Sequence, residues 1–268
     1  MTDYIYYVKH SNTDDKYKDA VKNRVTAFKN EIKKNKFFLN NFTFHICDSF
    51  KTLGNKSKLT KYVSEHSDQF FYIGGMTASF KEGTSDIIIK TSKDSVFNIS
   101  VDKQISDVTQ ATMHEIGHQF DDQFGYCDPK LLCEVKKLPL WTDDEGTKEQ
   151  QKLYDTFLKN KDLSDSNEFK KAWKQDVQNL GKSSLSNFLF KHRHIDYYVF
   201  DVDITDGVTD DEVEEADSHR SEIFAQLFSY AMGEDDGQKE AIVEKYSNCY
   251  RMVKLYIKKY LGIDVKNN

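Results

Sequence analysis

The spacing of apolar residues divides the chain into a first part that mixes helices with strands and a second part that is mostly helical. Residues 14–36 carry apolar side chains at helical spacing, which predicts an amphipathic helix. Residues 42–47 alternate between apolar and polar side chains, as a strand with one buried face does. The segments 69–73, 86–91 and 96–101 are rich in β-branched and aromatic residues. A small sheet of about four strands is therefore predicted.

The second part begins after a segment with little regular spacing. Residues 106–124 predict a helix, and residues 125–146, which contain both prolines, are expected to connect two lobes. Helical spacing then dominates, for instance over 218–232 and 238–261. The pattern predicts an α+β fold, with the sheet in the first lobe and mostly helices in the second. The predicted lobes are residues 1–125 and 126–268 of a single domain, 1–268.

Composition and charge limit the classes of protein to which this chain can belong. The 268 residues include 19 Phe and 15 Tyr, so the core is expected to be aromatic. The net charge of -6, with both signs interspersed, gives no reason to expect a nucleic-acid partner. No segment approaches the ~20 apolar residues of a membrane span. The first residues do not resemble a signal peptide, so a secreted mature form, a delivered effector and a cytoplasmic protein all stay open. Cys127 and Cys133 either close a small disulfide loop or remain thiols.

The sequence HEIGH at residues 114–118 lies inside the helix predicted over 106–124. A spacing of four residues places His114 and His118 on one helix face, where two imidazoles bind one Zn2+ at ~2.0–2.1 Å. Glu115 beside them is suited to act as the general base on a water that zinc activates for attack on a carbonyl. Gly117 would let another backbone pack closely on this turn. One zinc ion is therefore the expected cofactor.

A zinc site that keeps a position open for water needs a third protein ligand. The metzincin pattern is excluded, because Asp121 and Phe124 stand where it would require Gly and His. Glu222 is the best candidate, since it lies at the edge of an apolar stripe on the later helix. The alternative is that Glu222 is a boundary carboxylate on a surface helix. Asp121 is either a hydrogen-bond partner that fixes the tautomer of a ligand imidazole, with His114 or the motif helix itself as the favoured beneficiary, or an exposed helix residue.

Two blocks of sequence resemble a known family. HEIGHQFDDQFGY (114–126) and SEIFAQLF (221–228) are similar to the catalytic domain of anthrax lethal factor and to the related Pro-Pro endopeptidases, which are gluzincins. The resemblance implies a zincin-like fold with a small twisted mixed sheet, and it places Glu222 at the position of the third zinc ligand. It also implies a protein or peptide substrate, a secreted or delivered toxin or effector, and an edge strand that borders the cleft. The candidate residues for that strand are Asp86, Ile87, Ile88, Ile89 and Lys90.

The chain also departs from this family. Glu215 stands where the family has a Tyr that stabilises the oxyanion, and Gln226 stands where a second Glu is common. His219, one turn before Glu222, is either a replacement oxyanion donor or a surface histidine. The spacing between the two blocks is longer than in the family, so residues 131–210 are interpreted as an insertion that shapes the substrate groove or binds a carrier or partner protein.

The leading hypothesis is a zinc-dependent endopeptidase in which Glu115 is the general base. A weakly active or inactive zincin-like binding module of a toxin or effector system is the alternative, favoured by the missing Tyr. A zinc hydrolase that does not cleave peptides is a third reading.

Overall fold

The chain is described by a computed structural model over residues 4–10, 13–56, 74–79, 85–91, 100–124, 162–176 and 217–266. The strands are β1 (Ile5–Lys9), β2 (Phe42–Cys47), β3 (Gly74–Ser79) and β4 (Ser85–Lys90). The helices are α1 (Asp15–Glu31), α2 (Val101–Phe124), α3 (167–176), α4 (Asp217–Ala231), α5 (Lys239–Lys245) and α6 (Ser247–Tyr256). Short 3-10 segments cover Phe50–Lys56 and Leu163–Asp165, and a π-helical turn covers Ile257–Leu261. The described part therefore has an α+β fold, as the sequence predicts.

Several predictions fall outside the described residues. These are the connecting segment 125–146, the pair Cys127 and Cys133, Glu215, and the predicted insertion except for 162–176. The predicted strand 69–73 lies there too, as do residues 96–99 of the predicted strand 96–101. Its last residue, Val101, begins α2 instead. No described helix is both long and apolar enough to cross a membrane.

The four described strands form one mixed sheet in the order β1-β2-β4-β3. β1, β2 and β4 are parallel, and β3 runs antiparallel to β4 at the end of the sheet. The prediction that Asp86, Ile87, Ile88, Ile89 and Lys90 form the edge strand is therefore wrong. Ile88, for example, pairs with His45 of β2 on one side and with Met76 of β3 on the other. Among the described strands, β3 takes the edge position, and it lies beside α2.

Helix α1 starts where the sequence predicts and covers the sheet with its apolar side. The Asp14 side chain caps it by accepting a hydrogen bond from the Lys16 amide at 3.0 Å. Val21, Val25 and Phe28 are fully buried. β1 was not predicted, although its sequence IYYVK has the aromatic and β-branched residues typical of strands.

The core between the sheet and the helices is aromatic, as the composition predicts. Phe120 of α2 contacts Phe38 after α1, and Phe224 and Phe228 of α4, with ring centroids 5.9, 6.2 and 5.1 Å apart. All four rings are fully buried. This cluster packs α4 against α2, and the candidate metal-binding residues lie along that contact.

Candidate metal centre

Gly117 lets helices α2 and α4 approach each other within backbone contact. A methyl group placed on Gly117 would lie 2.8 Å from the Cα and 2.9 Å from the carbonyl oxygen of Ala225. Ordinary contacts of such a group begin at 3.4 Å, so only glycine fits here. The predicted close approach at this residue is confirmed. It brings the HEIGH turn of α2 against Glu222, which lies one turn before Ala225 on α4.

Three side chains converge where the helices meet. His114 Nε2 lies 3.1 Å from Glu222 Oε2 and 3.1 Å from His118 Nε2. His118 Nε2 lies 3.4 Å from Glu222 Oε1. Within the ranges that the structure describes, no other group of three His, Cys, Asp or Glu residues brings its ligand atoms as close together. The structure thus brings together the three residues that the sequence singled out.

The tautomer of His114 follows from its other ring nitrogen. Nδ1 lies 3.0 Å from Gln226 Oε1, and the Gln226 amide nitrogen donates to the Asp236 carboxylate at 3.4 Å. Because a carboxylate accepts hydrogen bonds, Asp236 keeps the amide nitrogen of Gln226 on its own side and the amide oxygen toward His114. His114 therefore donates from Nδ1–H, and in the neutral ring Nε2 carries a lone pair.

The tautomer of His118 follows in the same way. Nδ1 lies 3.1 Å from Ser221 Oγ, and Ser221 Oγ donates to Asp121 Oδ2 at 3.2 Å. A hydroxyl has one hydrogen, so the Ser221 oxygen must accept the hydrogen bond from His118 Nδ1–H. The Nε2 lone pair of His118 is therefore also directed into the group formed with His114 and Glu222.

This donor set fits a zinc ion. Two imidazole lone pairs and a carboxylate repel one another unless a cation lies between them. Tetrahedral ligands at ~2.0–2.1 Å from zinc lie about 3.3 Å from each other, and the three separations found are 3.1, 3.1 and 3.4 Å. Two histidines with one glutamate are also a ligand set found in catalytic zinc sites.

Glu222 also favours the protonated form of His114. Burial alone would lower the pKa of His114, but the hydrogen bond and negative charge of Glu222 outweigh it and raise that pKa to about 9. Burial likewise opposes ionisation of Glu222, yet hydrogen bonds from His114 and His118 hold its pKa well below the usual value. The site therefore stabilises positive charge at its centre.

Glu115, the predicted general base, lies on the side of α2 that faces the edge strand. Its side chain packs on Gly75 of β3, where a methyl group would come within 2.4 to 2.8 Å of Glu115 Cγ, Oε1 and Cδ. Burial raises the pKa of Glu115 above its ordinary value. A carboxylate with a raised pKa beside a metal-ligand turn is suited to take up a proton.

Asp121 is buried and contacts neither ligand imidazole directly. It acts on His118 through Ser221, whereas the sequence favoured His114 or the motif helix itself, and its carboxylate also accepts two hydrogen bonds from Ser164 at 2.7 Å. Burial and the charge of Asp162 raise the pKa of Asp121, while the three donated hydrogen bonds favour its ionised form. The reading of Asp121 as an exposed helix residue is wrong, because its exposed fraction is 1%.

One predicted site residue and three that were not predicted as site residues remain to be placed. His219 lies in the first turn of α4, and its side chain is outside the described part of the chain. Sequence reasoning missed Ser221 and Ser164, and it treated Gln226 only as a departure from a family pattern. Gln226 lies four residues after Glu222, so helical spacing from the predicted ligand could have found it. Ser221 directly precedes Glu222, and adjacent helix residues do not share a face, so helical spacing does not single it out.

Comparison with known proteins adds no relative to this description. No family model, no curated protein and no solved structure matches the chain. The resemblance of residues 114–126 and 221–228 to the lethal-factor family remains a prediction from those two blocks.

Proposed function

We propose that the chain is a zinc-dependent endopeptidase of the gluzincin type with a zincin-like fold. The observation that carries the proposal is the convergence of His114 Nε2, His118 Nε2 and a Glu222 carboxylate beside the buried Glu115. His114, His118 and Glu222 would hold the metal. When bound, zinc acidifies a water molecule and polarises a carbonyl group.

Glu115 supplies the proton transfers in this proposal. Its raised pKa lets it accept a proton from the attacking water and then give that proton to the departing amine. Gly75 leaves the space in which the Glu115 carboxylate lies. His219 is the proposed oxyanion donor, on the basis of its place one turn before Glu222 in α4.

β3 is the proposed docking strand for the substrate. It ends the described sheet, pairs on one side with β4, and lies beside Glu115 through Gly75. An extended peptide can add to such an edge by main-chain hydrogen bonds, which favours a peptide or unstructured protein as substrate. A secreted or delivered toxin or effector, with a carrier or partner protein bound through 131–210, is proposed from the family resemblance.

The test uses Glu115→Gln in a peptide-library cleavage assay with zinc content measured on the same samples. We expect one zinc per chain in both proteins, and a loss of roughly 10²-fold or more in kcat for the variant. Glu234→Gln is the matched control, because Glu234 is a poorly exposed carboxylate that pairs with Arg24 and accepts from the Thr109 hydroxyl, neither of which is a proposed metal ligand. It should lower stability and keep activity.

Three results would count against the proposal. A wild-type chain that binds no zinc would remove its basis. Equal cleavage by wild type and Glu115→Gln would exclude Glu115 as the base. Zinc binding without cleavage of any unstructured substrate would favour the zincin-like binding module instead.

A further inference from the structure

A turn from the predicted insertion lies directly behind the metal centre. Ser164, in the 3-10 turn Leu163–Asp165, donates from its amide to Asp121 Oδ1 and from its hydroxyl to Asp121 Oδ2, both at 2.7 Å. Its side chain is buried, with 4% of the residue exposed. Ser164 is separated from Asp121 by 43 residues in sequence, so this contact ties the insertion to the motif helix.

Asp121 is linked to the proposed metal ligand His118 by two further hydrogen bonds. Its Oδ2 accepts from Ser221 Oγ at 3.2 Å, and Ser221 Oγ accepts from His118 Nδ1–H at 3.1 Å. The hydroxyl of Ser221 keeps this direction only while an acceptor oxygen of Asp121 is held toward it, and the two hydrogen bonds from Ser164 hold the carboxylate in that orientation. If the Ser221 hydroxyl turned toward His118, Nδ1 would become the acceptor, and Nε2 would carry the hydrogen and could not bind a metal.

The turn is also fixed to the ligand helix. Arg220, two residues before Glu222, donates to the Ser164 carbonyl oxygen at 3.3 Å and to the Asp165 carboxylate at 2.7 Å. The Arg220 residue is 2% exposed, so its guanidinium is paired in a buried environment where such contacts are strong. Ser164 is thus held between α2, through Asp121, and α4, through Arg220.

We propose that the turn Leu163–Asp165 is a built-in support of the metal centre, in which Ser164 and Arg220 are positioning residues that hold His118 in its metal-binding tautomer through Asp121 and Ser221. The proposal rests on the metal site of the proposed function, but not on peptide hydrolysis. It gives part of the insertion a task within the catalytic domain, besides any role in binding a substrate or partner.

The test compares Ser164→Ala with Ser166→Ala. Ser166 lies two residues further on, where its hydroxyl contacts the Tyr256 hydroxyl at 2.7 Å and accepts from the Phe169 amide at 3.1 Å. Both variants remove a buried hydroxyl from the same segment, but only Ser164→Ala removes a donor to Asp121. Chelator competition at a temperature well below unfolding gives the zinc affinity and dissociation rate of each protein.

Ser164→Ala should weaken zinc binding roughly tenfold or more, the usual effect of losing an outer-shell partner of a metal ligand. Ser166→Ala should bind zinc as the wild type does, even if it melts earlier. Lys170→Ala, which removes a partly exposed ion pair to Asp165 at 3.3 Å, should also leave zinc affinity unchanged. Equal zinc affinity of Ser164→Ala and wild type, or an equal loss in Ser166→Ala, would overturn the proposal.

Nitrogen NMR of the metal-free protein, at a pH where His118 is neutral, is a second readout independent of activity. The wild type should show His118 protonated at Nδ1, and Ser164→Ala should show a growing Nε2–H population. An unchanged tautomer ratio would contradict the proposed action of Ser164 on His118 through Asp121 and Ser221. A wild-type chain without zinc affinity would instead refute the proposed function, so the two failures are distinguishable.

Discussion

Gly117→Ala tests the helix contact on which the metal centre depends. In an ordinary helix interior this change would stabilise the protein by roughly 0.5–1 kcal/mol, because glycine loses more backbone entropy on folding. Here the new methyl group would lie 2.8 Å from Ala225 Cα and must retreat to at least 3.4 Å, a shift of about 0.6 Å. Overpacking of this kind typically costs about 1–3 kcal/mol, so we expect a net loss of up to about 2.5 kcal/mol in place of the usual gain.

The same shift separates the ligands, because His114 and His118 lie on α2 and Glu222 lies on α4. A displacement of about 0.6 Å exceeds the tolerance of roughly 0.2 Å in metal–ligand distances. Zinc affinity should therefore fall roughly tenfold or more. Urea unfolding of the metal-free protein measures the first effect, and chelator competition measures the second.

A double variant separates backbone contact from side-chain contact. The closest atoms to the new methyl group belong to the Ala225 backbone, so adding Ala225→Gly to Gly117→Ala should restore neither stability nor zinc affinity. If Gly117→Ala proves more stable than wild type and keeps its zinc affinity, the close crossing of α2 and α4 is refuted.

Two further predictions concern Glu115 and the charge of the metal-free site. Gly75→Ala should keep zinc but lower kcat by roughly 10²-fold, because its methyl group displaces the Glu115 carboxylate; unchanged kcat would contradict this placement of the base. The pKa of His114 is raised from 6.5 to about 9, so its pairing with Glu222 stabilises the metal-free protein fully below pH 6.5 and is lost as pH rises through about 9. In urea unfolding, the difference in free energy of unfolding between metal-free wild type and His114→Gln should therefore narrow from pH 6 to pH 9. The zinc affinity of the wild type should rise over the same range. A stability difference that stays constant with pH would refute the pairing of His114 with Glu222.

The sequence predicted the features that local spacing determines. Four residues on a helix place His114 above His118 whatever the rest of the chain does, and the glycine between them could be interpreted from its lack of a side chain. Glu222 required the additional observation of an apolar stripe that buries one side of its helix.

The features that were missed depend on contacts between distant segments. Strand β3, with the sequence GGMTAS, has weak strand propensity and is part of the sheet through its pairing with β4. Residues 86–90 are the candidate edge strand that the family resemblance implies, but the structure places them between two other strands. The partner of Asp121 could not be predicted, because Ser164 reaches it from a segment 43 residues away whose position no local pattern fixes.

The central claim is that His114, His118 and Glu222 form a zinc site, and a zinc titration of the metal-free protein tests it most directly. Wild type should bind one zinc per chain. Glu222→Gln, which keeps the shape of the side chain but removes its charge, should bind roughly 100-fold or more weakly, because the site loses one of its three protein ligands. Absence of zinc binding by the wild type, or equal affinity in Glu222→Gln, would contradict the account.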